Sequence, residues 1–237
     1  MHRLIFSVAL LFLSCAASAV PVDLSSALYT TSAFAEVGSD SDGINAASAP
    51  PDALPLFSSA NVIGADTSVN EAAFADAIAD DGFLAVSPEV RASLNHAGAV
   101  AEASVMAELL GVGSYSLLLD FENFVDLMGG EAGAVLGLTL SVGSNTLFDE
   151  IFTSSADILR HFILAPGESA LLLVSLIGTA DAFPDGTGPA ADLYGFNLAT
   201  VGISLVAVPS PTPLALIGAA LLPIMRLTRS RRGARLV

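Results

Sequence analysis

The sequence predicts a mostly β chain: an antiparallel β-sandwich (jelly-roll-like) ectodomain followed by a C-terminal hydrophobic helix. Three observations carry that expectation. Apolar residues recur at every second position at Tyr115, Leu117, Leu119 and Phe121 and again at Leu136, Leu138, Leu140 and Val142, the period of a strand with one buried face. Turn-forming stretches such as Ala165-Pro166-Gly167-Glu168 fall between such runs, as short connections between strands require. Lastly, the apolar run Leu214 to Met225 follows a proline-punctuated stretch and precedes five arginines.

At the N-terminus, His2 and Arg3 precede the apolar run Leu4 to Leu13 and then Ser14-Cys15-Ala16-Ala17-Ser18-Ala19. A weakly basic start, an apolar run too short to span and small residues at Ala17 and Ala19 predict a secretory signal peptide over residues 1–19, cut after Ala19. Cleavage there removes Cys15, the only cysteine, so the exported chain must hold together without disulfides. Residues 20–60 are rich in Ser, Ala, Asp, Gly and Pro with no sustained period, which predicts a low-complexity arm. Asp40, Asp42, Gly43 and Asn45 resemble part of a calcium loop but lack the bidentate Glu that an EF-hand needs.

One β-sandwich domain is expected over residues 61–207. Near its start, Ser68-Val69-Asn70-Glu71 has capping-box spacing, and Phe74 and Ile78 stand four apart, which fits a short helix ending near Gly82. Ala101, Ala103, Val105, Ala107 and Leu109 alternate with Glu102, Ser104, Met106 and Glu108 as a strand with one wet face, although this composition also suits a helix. The aliphatic run Ala170 to Ile177 predicts a strand covered on both faces, with Thr179 to Gly188 as the loop beyond it. In the last strand, Phe196 to Val206, Phe196 and Leu198 are out of phase with Val201, Ile203 and Leu205. A β-bulge near Thr200 is therefore expected.

Charge excludes some functions. All 24 acidic residues lie between Asp23 and Asp192, where Arg91 and Arg160 are the only basic ones, so the body carries −22. Such a surface repels phosphate backbones, and no nucleic acid is expected as a partner. Catalytic signatures are missing too: there is no Gly-x-Ser-x-Gly, His-x-x-x-His or His-Glu-x-x-His spacing around His96 or His161, and no enzyme is expected. The densest acidic set beside a good strand is Asp120, Glu122 and Asp126. Those carboxylates are candidate ligands for a structural calcium, or a candidate carboxylate pair for glycoside hydrolysis. No tryptophan is present to stack on a sugar ring.

The tail is the most distinctive segment. Val208-Pro209-Ser210-Pro211 leads into Leu214 to Leu222 and then to the basic cluster Arg226, Arg229, Arg231, Arg232 and Arg235. The 17 residues from Pro209 to Met225 lie at the short end of the roughly 17 to 25 that cross a bilayer. Arginines on that flank predict a cytoplasmic C-terminus. These residues, 208–237, resemble the PEP-CTERM and VPLPA-CTERM sorting domains of exported Gram-negative bacterial proteins, with Ser210 standing where the family usually has Glu. The resemblance implies passage through the secretion machinery to the inner membrane and recognition by an exosortase-type membrane processing enzyme. It further implies delivery to the cell surface or an extracellular matrix, in company with exopolysaccharide. The expectation is thus a non-enzymatic envelope or matrix protein. The alternatives are a carbohydrate- or calcium-binding adhesion module and a plain single-span anchored ectodomain.

Overall fold

The computed structural model describes residues 20–22, 24, 27–49, 53–65, 71–184 and 192–208. The strands in chain order are β1 (Val20–Pro21), β2 (Leu28–Val37), β3 (Asp40–Ala49), β4 (Leu56–Ile63), β5 (Ala72–Asp80), β6 (Phe83–Ala92) and β7 (Ala97–Leu110). They are followed by β8 (Gly113–Met128), β9 (Glu131–Val142), β10 (Asn145–Phe152), β11 (Ala156–Leu164), β12 (Ser169–Ala182) and β13 (Leu193–Val208). They pair antiparallel in two sheets. One has the order β11-β8-β13-β6-β5-β4, with β1 continuing the line of β6 along β13, and the other has the order β10-β9-β12-β7-β2-β3. From β6 onward every connection except the β9–β10 hairpin passes from one sheet to the other, and the inner faces share one core.

Alternation builds that core. Leu117, Leu119 and Phe121 on β8, Leu138 and Leu140 on β9, and Leu172 and Val174 on β12 are all buried. The filling is uneven: β8, β9 and β12 contribute leucines, whereas β5 and β7 contribute Ala73, Ala75, Ala77 and Ala79 and Ala97, Ala99, Ala101 and Ala103. A fully buried Leu contributes about 1.5–3 kcal/mol and an alanine methyl far less, so hydrophobic stabilisation concentrates under β8, β9 and β12. One buried polar pair joins the two layers, the 2.7 Å hydrogen bond between the hydroxyls of Thr31 on β2 and Ser58 on β4.

Several expectations are corrected. The stretch read as a low-complexity arm supplies β1, β2, β3 and part of β4, because Tyr29, Thr31, Ala33, Ala35 and Val37 do alternate. Their small side chains give that period little hydropathic contrast, and pairing of β2 with both β7 and β3 fixes it. Asp40, Asp42 and Asn45 consequently lie in strand β3 rather than in a loop. The described residues leading to Gly82 form strand β5 rather than the expected helix: Ala73, Ala75, Ala77 and Ala79 are buried with period two, and Phe74 and Ile78 share the opposite face of β5, while Ser68, Val69 and Asn70 lie outside the described residues.

Further along, β12 is not covered on both faces, since Leu171 and Leu173 are exposed on its outer side, and it runs on to Ala182. The bulge expected near Thr200 is absent as well. Strand β13 keeps an unbroken register against β8 from Gly195 to Val208, and Phe196 and Leu198 simply face outward. Among the described residues no helix is long and apolar enough to cross a membrane, and the expected C-terminal helix lies outside them.

Candidate functional site

Asp120, Glu122 and Asp126 all project from the outer face of β8 and are exposed. Across the ladder from β11, Asp120 faces Asp157, while on the β13 side Glu122 faces Thr200 and Asp126 faces Phe196. Among the described residues no group of three His, Cys, Asp or Glu side chains is gathered as a metal site. His161 also faces outward, with Nδ1 2.8 Å from the Ser116 hydroxyl. Of the tail motif, Val208 closes β13 opposite Ser114; Pro209, Ser210, Pro211 and the arginines lie outside the described residues.

A different constellation forms at the end of the molecule farthest from Val208. Pairing of β9, β12, β7 and β2 sets Glu131, Asp181, Gly98 and Glu36 in one transverse row on the outer face. Gly98 makes the row feasible: a Cβ there would lie 3.2 Å from both Asp181 Oδ1 and Glu36 Oε1. His96, just before β7, sits between the two carboxylates, with Nδ1 3.5 Å from Glu36 Oε1 and Nε2 3.6 Å from Asp181 Oδ1. Its ring stacks on Phe183 at a centroid distance of 4.3 Å. These separations exceed good hydrogen-bond lengths, and Nε2 has no hydrogen-bond partner.

Beside this row opens a cleft of about 540 Å³ lined by Asn123, Glu131, Val135, Thr153, Thr179 and Asp181, among others. Its rim is positioned by a polar network. Asn123 accepts a 2.6 Å hydrogen bond from Nδ2 of the buried Asn197, donates its side-chain amide to the Thr153 carbonyl and donates its backbone N–H to the Ser155 hydroxyl oxygen. Gly133, in the lining, leaves open space where a side chain would stand. Both arginines of the body are engaged elsewhere, Arg91 with Glu89 and Arg160 with Glu150. The chemistry on offer is therefore that of acceptors for a cation or a hydroxyl-bearing ligand. No cysteine, serine or histidine nucleophile lines the cleft.

Glu71, unlike these accessible acids, is a buried carboxylate, with a structural task. It accepts the backbone N–H groups of Leu94 and Asn95 at 2.8 and 2.7 Å and Asn95 Nδ2 at 2.8 Å, and so fixes the β6–β7 connection that presents His96. Sequence reasoning missed Glu36 and Asp181 because they lay in stretches read as arm and loop. The available signal was the acid at the end of each alternating run.

No protein-family model matches the chain, and no curated protein sequence matches it. Among solved structures the chain is similar to the GH31 alpha-xylosidase from Xanthomonas citri, with 11% identity over 85% of this chain and 20% of that one and a TM-score of 0.20. Another is the secreted serine protease VesC from Vibrio cholerae, with 7% identity over 82% of this chain and 52% of that one and a TM-score of 0.22. The chain thus spans less than two thirds of either protein, and likeness at this level assigns no family.

Proposed function

We propose that this protein is an exported, non-enzymatic envelope or extracellular-matrix protein, sorted by its C-terminal tail through an exosortase-type enzyme. The observation that carries this reading is the pairing of Val20 with Ala207 and of Pro21 with Val206. The residue after the expected signal-peptide cut and the residue before the proline motif thus stand together at one end of the body. Both segments that engage the membrane during export therefore join the body at the same place. Strand β13 ends as the motif begins: Pro209, Pro211 and Pro213 have no N–H to continue a ladder. A segment that cannot donate to a ladder suits a membrane-embedded processing enzyme.

The strand orders β6-β13-β8-β11 and β7-β12-β9-β10, with consecutive strands alternating between sheets except at the β9–β10 hairpin, support a jelly-roll-like β-sandwich, extended on one side by β5 and β4 and by β2 and β3. Such a body suits a surface protein without disulfides. The test is mass spectrometry of the mature C-terminus in a host with its own exosortase. Loss of the segment from Leu214 onward is expected, and changing Pro209 and Pro211 to Ala should slow that loss. Intact Arg231 and Arg232 on surface-localised protein would instead make the chain a plain single-span anchored ectodomain.

A second reading, a carbohydrate- or calcium-binding adhesion module, draws on the open cleft with Glu131 and Asp181 on its wall. Calorimetric titration with calcium and with glycans tests it. Heat that is abolished by Asp181→Asn would favour it, whereas heat unchanged by that substitution would remove the cleft as its site.

A further inference from the structure

The end of the body from which the tail departs has an apolar tip. The end of β7 exposes Leu110 and the β7–β8 connection Val112, 73% and 64% accessible, and the end of β11 exposes Ile163 at 70%. Val208 and Val20 are exposed beside them. Their closeness follows from the ladders: Val208 faces Ser114 on β8, Ser114 faces Ile163 on β11, and Leu110 on β7 faces Ser169 on β12. No charged residue occurs from Leu109 to Leu119, from Phe162 to Gly167 or from Leu193 to Val208. The other end is built from Asp40, Glu71, His96, Glu131 and Asp181, while Asp80 and Asp81 at the β5–β6 turn lie toward the tip but set back from Val208, beside Ile203. Connections between strands are ordinarily polar, so this tip is an anomaly, and it lies where the chain heads for its hydrophobic segment.

Resting on the proposed sorting function, we infer that Leu110, Val112, Ile163, Val208 and Val20 dock on the outer headgroup layer of a zwitterionic lipid bilayer while the tail is attached. Reach supports it. The five residues Pro209 to Pro213 separate Val208 from the apolar run and span at most about 17 Å when fully extended, which holds the tip at or just above the membrane interface. Charge selects the lipid, because a body of −22 is repelled by anionic headgroups. Depth is limited by Glu108 and Glu168; the latter accepts the Ala165 N–H at 2.8 Å and stays at the rim of its turn. A second copy of the chain is a poorer occupant, since five side chains on a narrow tip supply only part of the roughly 800 Å² per partner of a stable interface.

The chain contains no tryptophan, so a single introduced one reports its own surroundings. The experiment reconstitutes the full chain into phosphatidylcholine vesicles with acyl chains brominated near the headgroup. It compares Val112→Trp and Ile163→Trp at the tip with Leu94→Trp at the far end and Leu216→Trp in the tail. Loss of emission for both tip variants with none for Leu94→Trp is the expected result. Unquenched tip variants beside a quenched Leu216→Trp would overturn the docking and leave the tail reading standing. If Leu216→Trp is unquenched as well, both fall. Equal quenching of Leu94→Trp would replace a seated tip by non-specific adsorption. A concentration-dependent blue shift without lipid would assign the tip to a second copy.

Discussion

At Glu71, three N–H donors converge on one carboxylate that is almost fully removed from solvent. Burial alone would raise its pKa. The hydrogen bonds from the Asn95 side chain and from the backbone of Asn95, Leu94 and Ser93 outweigh burial and hold the group below its ordinary 4.5. A carboxyl depressed on folding contributes stability that is complete above the unfolded value and is lost as pH falls through the folded one. Glu71→Ala should therefore cost about 1.5–3 kcal/mol near neutrality, the range for hydrogen bonds to a charged group. The gap to wild type should narrow on acidification below pH 4.5. Urea unfolding of both proteins at neutral and at acid pH checks this, and a gap independent of pH would show that charge is irrelevant there. Leu119, with no exposed surface, makes a simpler case: Leu119→Ala should cost about 2–5 kcal/mol, and an unchanged melting temperature would contradict its place in the core.

Two features of the strands determine how closely the sheets approach and how their edges are held. On β12, Gly178 faces β6 so tightly that a Cβ would lie 2.8 Å from Val86 Cγ2 and 2.9 Å from Pro88 Cδ. Gly178→Val should overpack this contact and cost about 1–3 kcal/mol, whereas Gly133→Ala, which meets open space, should leave the melting temperature nearly unchanged. At the β10 and β11 edges the inward-pointing Arg160 is paired with Glu150 on the opposite sheet. Both side chains are about 30% accessible, so Arg160→Ala should cost no more than about 1 kcal/mol. A larger loss in thermal unfolding would mean that this clasp, rather than the leucines beneath it, holds the edge.

For the whole molecule, the core residues of β8 and β9, Leu117, Leu119, Phe121, Leu138 and Leu140, were legible in the sequence because their alternation sets large apolar side chains at every second position, whereas the aliphatic run of β12 marked a buried strand but not which of its faces was buried. A far-UV circular-dichroism spectrum of the full chain should accordingly be dominated by strand, and a helix-dominated one would contradict the fold. The proposed export and sorting signals are also matters of sequence, since a secretory apparatus would read linear order: an apolar run, small residues, prolines, a second apolar run and arginines. Alanine-rich β2 and β5 hid their period, because alternating Ala with Ser, Thr or Asp changes hydropathy too little to mark a face. Only tertiary structure gave those strands neighbours. It also decided the row of Glu131, Asp181 and Glu36 around His96, as well as the meeting of Val20 with Ala207. Such juxtapositions arise from pairing between segments tens to nearly two hundred residues apart, and local side-chain patterns carry no record of which strand lies beside which.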